Sequence, residues 1–233
     1  MHTFYTPDIH GKIHRLEKQE SQHCINVLRL QKGDRIILVD GKGGYYKSKI
    51  KTGDPHKCTI EIISSKHQVG KKNFRLHIAI APTKNINRFE WFLEKATEIG
   101  IDEITPLLCK RSERKTIRQD RLNRVIISAM KQSVKAYKPE LNKLTGFMEF
   151  ISKNHPTNRF IAHYSKDTRT NLKGLVKNEQ DILILIGPEG GFSSEEFHLA
   201  CKNGFSAVLL GPNRLRTETA GLVACFTVNM INQ

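Results

Sequence analysis

Two stretches, ILILIGPEGGFS at residues 182–193 and AVLLGPNRLRTETA at residues 207–220, decide the fold of this chain. Each runs from a short apolar segment through a glycine-marked loop to residues suited to start a helix. Strand, loop and helix, repeated, are the pattern of an open α/β sheet, where ligands bind beyond the carboxyl ends of the strands. Gly187, Gly190 and Gly191 would let backbone approach a ligand closely. The first loop has neither the Gly-Lys-Ser/Thr of a Walker loop nor the G-x-G-x-x-G of a dinucleotide fold, so a nucleotide-like ligand without a pyrophosphate fits better. Read alone, it serves equally well as a tight turn that binds nothing. The second loop is harder to dismiss. Glu218 suits a helix N-terminus and Thr217 suits its cap. Arg216 does not, because a cation at the positive end of a helix calls for an anion or a substrate carbonyl beside it.

Working outward, the alternation of strands and helices begins at Phe74. Residues 76–81 read as a strand ended by Pro82, and 87–99 as an amphipathic helix stopped by Gly100. Residues 104–109 are a strand, 122–137 a helix, 160–162 and 207–210 further strands. Ser193 or Ser194 should cap a helix over 195–203 that Gly204 ends. The last helix, about 217–230, is apolar nearly all round, which implies burial on several sides. The first ~68 residues read instead as β structure. A strand at 35–39, a turn at 40–44 and a return strand at 45–50 form a hairpin, and 57–63 is a third strand. Residues 20–30 read as one helix with Cys24, Val27 and Leu28 on one face. The polar stretch 64–73 marks the boundary, giving domains at 1–70 and 71–233.

The chain has 233 residues, 38% hydrophobic, and a formal charge of +15. That bias points to a polyanionic partner, nucleic acid or an acidic membrane surface. No apolar run reaches the ~18 residues that span a bilayer, and the N-terminus does not read as a signal peptide. The 5 cysteines are scattered without a C-x-x-C pair, so neither a disulfide framework nor a metal site is expected, and a cytoplasmic location fits.

The two glycine loops, with EKATEIG (94–100), HCINVLRLQKGD (23–34) and KQSVKAYKPEL (131–141), resemble the RsmE family of ribosomal RNA small-subunit methyltransferases. The resemblance extends over the whole chain. It implies an α/β SPOUT domain with a C-terminal trefoil knot, preceded by a small PUA-like β-barrel. It implies S-adenosylmethionine as cofactor, N3 of one uridine in 16S rRNA of the small ribosomal subunit as target, and a homodimer. Carried over residue by residue, the cofactor pocket comes from Ala162 and His163; from Ile186, Gly187, Pro188, Glu189 and Gly190; and from Leu210, Gly211, Leu215, Arg216, Thr217, Thr219 and Ala220. The chain departs from the family at Asn213, where an arginine is usual, with Arg214 as a substitute. It also has Lys131-Gln132-Ser133 where many members have Glu-Gln-Ser.

Uridine N3 carries a proton at neutral pH, so methyl transfer needs alignment, a cation beside the uracil oxygen and removal of the proton. Arg216 is the expected cation. Glu218 or Glu94 could take the proton, although Glu94 could instead pair with Lys95 or Arg88 at the surface. Residues 110–138 hold ten lysines and arginines against two acids, a solvated helix face or a phosphate-binding surface. The expected RNA contacts are Arg29, Lys32, Lys84, Arg88, Arg111, Arg114 and Arg118. Two competing readings are a SPOUT enzyme acting on tRNA or a ribose 2′-OH, and a non-catalytic RNA-binding factor, which would have no affinity for the cofactor.

Overall fold

The computed structural model describes residues 1–164 and 170–233. They divide into two compact units, one of residues 1–71 with 127–138, the other of residues 72–126 with 139–233.

The first unit is a five-stranded mixed sheet. Strands β1 (His2–Tyr5), β2 (Ile13–Arg15), β3 (Arg35–Val39), β4 (Tyr45–Thr52) and β5 (Thr59–Lys66) lie in the order β1-β3-β4-β5-β2. Only β1 and β3 pair in parallel. Alternate residues explain the uninterrupted apolar run of β3. Ile36 and Leu38 enter a core with Phe4, Leu16, Ile50 and Ile60, while Ile37 and Val39 pack on Met130. The β3–β4 turn is held by Asp40, whose Oδ1 accepts the N–H groups of Lys42 and Gly44 at 2.7 and 2.8 Å. Gly43, at φ 98°, has a second constraint, because a β-carbon there would fall against the Tyr137 ring.

The single helix expected at 20–30 is not what forms. A short helix α1 (Lys18–Gln22) runs into one π-helical turn, His23–Val27. Leu28 N–H bonds to His23 C=O, and Arg29 then takes a left-handed backbone at φ 55°. The widened turn keeps Cys24 fully buried but leaves Val27 66% exposed, so an i, i+3 pattern misplaced it. Strands β1 and β2 also escaped the sequence reading, being three or four residues long and at sheet edges.

In the second unit, strands β6 (Leu76–Ile80), β7 (Glu103–Leu108), β8 (Glu140–Leu141), β9 (Thr145–Gly146), β10 (Asn158–Ala162), β11 (Ile182–Ile186) and β12 (Ser206–Val208) make a wholly parallel sheet. Its order is β12-β10-β11-β6-β7-β8, with β9 also on β7. Helices α2 (Ile86–Ile99), α3 (Gln119–Gln132), α4 (Phe147–Ile151), α5 (Leu172–Leu175), α6 (Ser194–Lys202) and α7 (Thr217–Ile231) complete the chain. Ile78, Ile80, Ile184 and Ile186 point to one core with Phe89, Phe92, Ala224 and Val228 from α2 and α7. Ala79, Leu183 and Leu185 point to the other, with Phe147 and Phe150 of α4 and Ala200 of α6. Two covered faces are why β6 and β11 are apolar at nearly every position.

The helix expected at 122–137 begins at Gln119 and ends at Gln132. Val134 adopts φ 54°, and Lys135 N–H reaches back to Met130 C=O, closing the helix without a glycine. Helix α7 is buried along Gly221, Ala224, Cys225 and Val228 but not all round, since Phe226 and Met230 are exposed. Among the described residues no helix is long and apolar enough to cross a membrane, and no group of three or more His, Cys, Asp or Glu side chains could hold a metal.

His77 of β6 is largely enclosed, with Nε2 2.8 Å from Thr105 Oγ1 and Nδ1 3.5 Å from Glu103. Burial, assisted by His155 and Arg75 and opposed by Glu103, pushes its pKa down to about 4. The unfolded chain therefore binds more protons than the folded one between about pH 6.5 and pH 4. The stability owed to neutral His77, on the order of 3 kcal/mol, is present above pH 6.5 and lost as pH falls through that window. Urea melts at stepped pH should show this loss, and His77→Gln should make it shallower.

Candidate functional site

Adjacent parallel strands end side by side, so the loops after β12, β10 and β11 converge. They are residues 209–216, 163–164 and 187–193. Between them lies a cleft of about 680 Å³, within the usual range of small-molecule sites. Ala162, Ile186, Val208, Leu210 and Leu215 line its apolar part, and His163, Arg214, Arg216 and Thr217 bring polar groups. The strand expected over 207–210 stops at Val208, and Leu209 and Leu210 line the cleft just beyond it.

Hydrogen bonds tie the three loops together. Thr217 Oγ1 donates to Gly187 C=O at 3.0 Å, joining the two glycine loops. Tyr164 Oη donates to Pro212 C=O at 3.2 Å. Thr217 is thus not the helix cap. Arg216 occupies that position with no side-chain cap bond, and its exposed side chain lines the cleft. Ser193 caps α6 through a reciprocal box with Glu196. His163 stacks on Phe197, centroids 4.3 Å apart, and burial lowers its pKa, so its ring is neutral at pH 7.

The glycines are needed for different reasons. A β-carbon on Gly187 would sit 3.1 Å from the Phe192 ring and 3.2 Å from its backbone nitrogen. Gly211 has open space around it but φ 151°, a backbone that other residues rarely adopt.

Of the residues expected to bind the cofactor, all line the cleft except Thr219. Glu218, expected at the reacting centre, is also absent from the lining. Successive residues on a helix turn through about 100°, so Arg216, Thr217 and Ala220 face the cleft while Glu218 and Thr219 turn away. Glu218 is 7% exposed. Its Oε1 is 3.9 Å from Arg88 Nε on α2, and its Oε2 has no hydrogen-bond partner. Glu94 is paired with Lys95 at 2.7 Å.

The cations expected on RNA separate into two groups. All but the half-buried Arg114 are exposed, and what separates them is their partners: Arg29, Lys32 and Arg118 point to solvent, and the other four are engaged within the protein. Lys84 pairs with Glu113 at 2.7 Å, and Arg88 lies beside Glu218. Arg111 and Arg114 donate to backbone carbonyls, Arg111 from the cleft wall itself. The residues missed as cleft lining, including Phe192 and Asn213, lie within the stretches already singled out, 182–193 and 207–220. Arg111 could be placed only by the fold.

The chain matches known proteins along most of its length. A family model described as the RNA methyltransferase domain covers residues 70–229, and one described as the RNA methyltransferase PUA domain covers residues 16–63. The ribosomal RNA small subunit methyltransferase E of Mesomycoplasma hyopneumoniae is 31% identical, over 88% of this chain and 93% of that protein. A probable rRNA-methyltransferase from Porphyromonas gingivalis superposes with a TM-score of 0.91 at 41% identity, covering 100% of this chain and 98% of that one. A ribosomal RNA small subunit methyltransferase E from Neisseria gonorrhoeae, bound to S-adenosyl methionine, gives a TM-score of 0.90 at 27% identity, covering 100% and 98%.

Proposed function

The chain belongs to the ribosomal RNA small subunit methyltransferase E family, and on that premise we propose that it methylates N3 of one uridine in 16S rRNA. It is an S-adenosylmethionine-dependent rRNA methyltransferase. Its fold is a PUA-like domain followed by a SPOUT-type α/β domain, and with that class we infer the C-terminal trefoil knot. The observation that carries the reading is the Thr217–Gly187 bond, which makes one cleft of the two glycine loops and sets Arg216 on its wall.

The cleft suits the cofactor. It offers an apolar lining and exposed loop backbone, with no Gly-Lys-Ser/Thr sequence for a polyphosphate. Ile186, Leu210 and Leu215 would hold the adenosyl part, with Gly187 and Gly211 allowing close backbone approach. S-adenosylmethionine supplies an electrophilic methyl group when bound. The protein's part is to align the uracil and to favour loss of its N3 proton. The guanidinium of Arg216 stabilises the developing imide anion through a uracil oxygen. Among the described cleft residues the only carboxylate is Glu189, and its Oε1 already accepts Lys84 N–H at 2.9 Å. In this reading the proton passes to solvent, and Glu218 faces Arg88 on α2 and takes no part in the reaction.

The division at residue 70 would assign RNA capture to the first domain, with Arg29 and Lys32, and Arg118 would be an RNA contact of the second. The exposed Phe226 and Met230 of α7 support a homodimer. A site of action on the cytoplasmic ribosome follows from the substrate. Two measurements test the assignment. Calorimetry should show S-adenosylmethionine binding to the purified protein, which a non-catalytic RNA-binding factor would not. Nucleoside mapping of 16S rRNA from a deletion strain should show one N3-methyluridine lost. Loss of a tRNA or 2′-O modification instead would redirect the assignment.

A further inference from the structure

Arg111 and Arg114 belong to the densest basic stretch of the chain and invite a reading as phosphate ligands. Their hydrogen bonds go elsewhere. Arg114 Nε donates to Thr83 C=O at 3.0 Å, and its Nη2 donates to Lys84 C=O at 2.6 Å. Lys84 N–H in turn donates to Glu189 Oε1 at 2.9 Å. Arg111 Nη1 donates to Gly190 C=O at 2.9 Å. The bonds close a ring. From Arg114 it crosses to the β6–α2 loop, from Lys84 to the glycine loop at Glu189 and Gly190, and from there back to Arg111, three residues before Arg114. Lys110 N–H adds a further bond, 2.7 Å to Glu196 Oε1 at the cap of α6.

We propose that Arg114, through this ring, is a positioning residue for the cofactor loop rather than a ligand of RNA phosphate. The proposal deepens the methyltransferase reading and rests on it. Residues 187–191 carry three glycines and a proline, so the loop has few side chains of its own to hold its shape. A planar guanidinium can span two carbonyls at once, and a lysine ammonium lacks that rigid fork. Thr83, one of the two carbonyl acceptors of that grip, is fully buried, so Arg114 is anchored on the packed interior of the unit. Glu189 is the hinge of the ring, since its side chain faces the β6–α2 loop while its residue lines the cleft.

The two roles predict opposite behaviour for Arg114→Lys, which keeps the charge and loses the fork. A strut requires the KM and calorimetric Kd for S-adenosylmethionine to rise about tenfold in both Arg114→Lys and Arg114→Ala. With saturating cofactor, kcat should fall much less than KM rises, a split that mere loss of folded enzyme would not produce. RNA affinity, and the slope of its logarithm against that of salt concentration, should be unchanged in both variants. Glu189→Gln, which weakens the acceptor for Lys84 N–H, should reproduce the cofactor effect in smaller degree. The proposal is overturned if cofactor affinity is unaltered. It is equally overturned if Arg114→Ala lowers the salt slope by about one while Arg114→Lys preserves it, the behaviour of a phosphate ligand. If the unmodified protein itself binds no S-adenosylmethionine, the methyltransferase reading fails first, and the two failures are told apart by that control.

Discussion

Arg216→Ala is expected to reduce kcat by about a hundred- to a thousand-fold, the usual consequence of removing one donor aimed at developing negative charge. The residue sits at the junction of the second glycine loop and α7, on the cleft wall. As a cation at the positive end of a helix, it is held where the protein gains nothing from it electrostatically. That disfavoured position makes sense when an anion forms beside it during the reaction. Cofactor binding should remain measurable in the variant, because the apolar lining and the glycine backbones are untouched. The same argument sets the pH dependence. If Arg216 lowers the cost of N3 ionisation and the proton leaves to solvent, kcat/KM should climb as pH rises above neutrality. Arg216→Lys should keep part of the rate, since the charge survives while the planar fork does not. Normal turnover of Arg216→Ala would remove it from the mechanism, and a fall in rate matched by an equal fall in cofactor affinity would make it a cofactor ligand only.

Among single substitutions, the largest effect on stability is expected at Gly221. In an exposed helix, Gly→Ala stabilises by about 1 kcal/mol. At Gly221 the sign should reverse. A β-carbon there would lie 2.7 Å from Phe92 Cε2 and 2.8 Å from Ile80 Cδ1. Both side chains are fully buried, so neither can swing away without disturbing the core between β6, α2 and α7. Overpacking of this kind costs about 1–3 kcal/mol, and Gly221→Val should lie at the upper end. Each kcal/mol should lower Tm by about 2–4 °C in a chain of this size, readable in circular dichroism melts. The damage should reach the site as well. Gly221 is one helical turn from Thr217, whose hydroxyl holds Gly187, so a displaced α7 loosens the junction of the two loops and should raise KM for the cofactor. An unchanged or higher Tm for Gly221→Ala would mean that α7 does not press on Phe92 as described.

What could be read in advance and what could not follow a physical division. Strands β6 and β11 were legible because a parallel strand covered on both faces must be apolar throughout. The α6 cap was legible because Ser193 and Glu196 satisfy backbone groups within their own helical turn. The hairpin glycines and the cleft glycines were legible for a related reason, since a backbone that must turn or lie open records that need in residue type. Strands β1, β2, β8 and β9 were not, because runs of two to four residues carry no periodicity. The π-helical turn at His23–Val27 hid behind a spacing that also suits an α-helix.

The amino-acid sequence by itself determined the longer strands and helices and their order, the glycine loops and the presence of Arg216 among them. Only the tertiary structure decided where the charged side chains end. Arg111 meets Gly190 across 79 residues of chain, and Lys84 meets Glu189 across 105. Glu218 turns from the cleft to Arg88 because of the phase in which α7 packs against α2. Backbone conformation is a local requirement, met or failed within a few residues. The partner of a long charged side chain is set by segments far away in the chain, and it exists only once the sheet has brought them together.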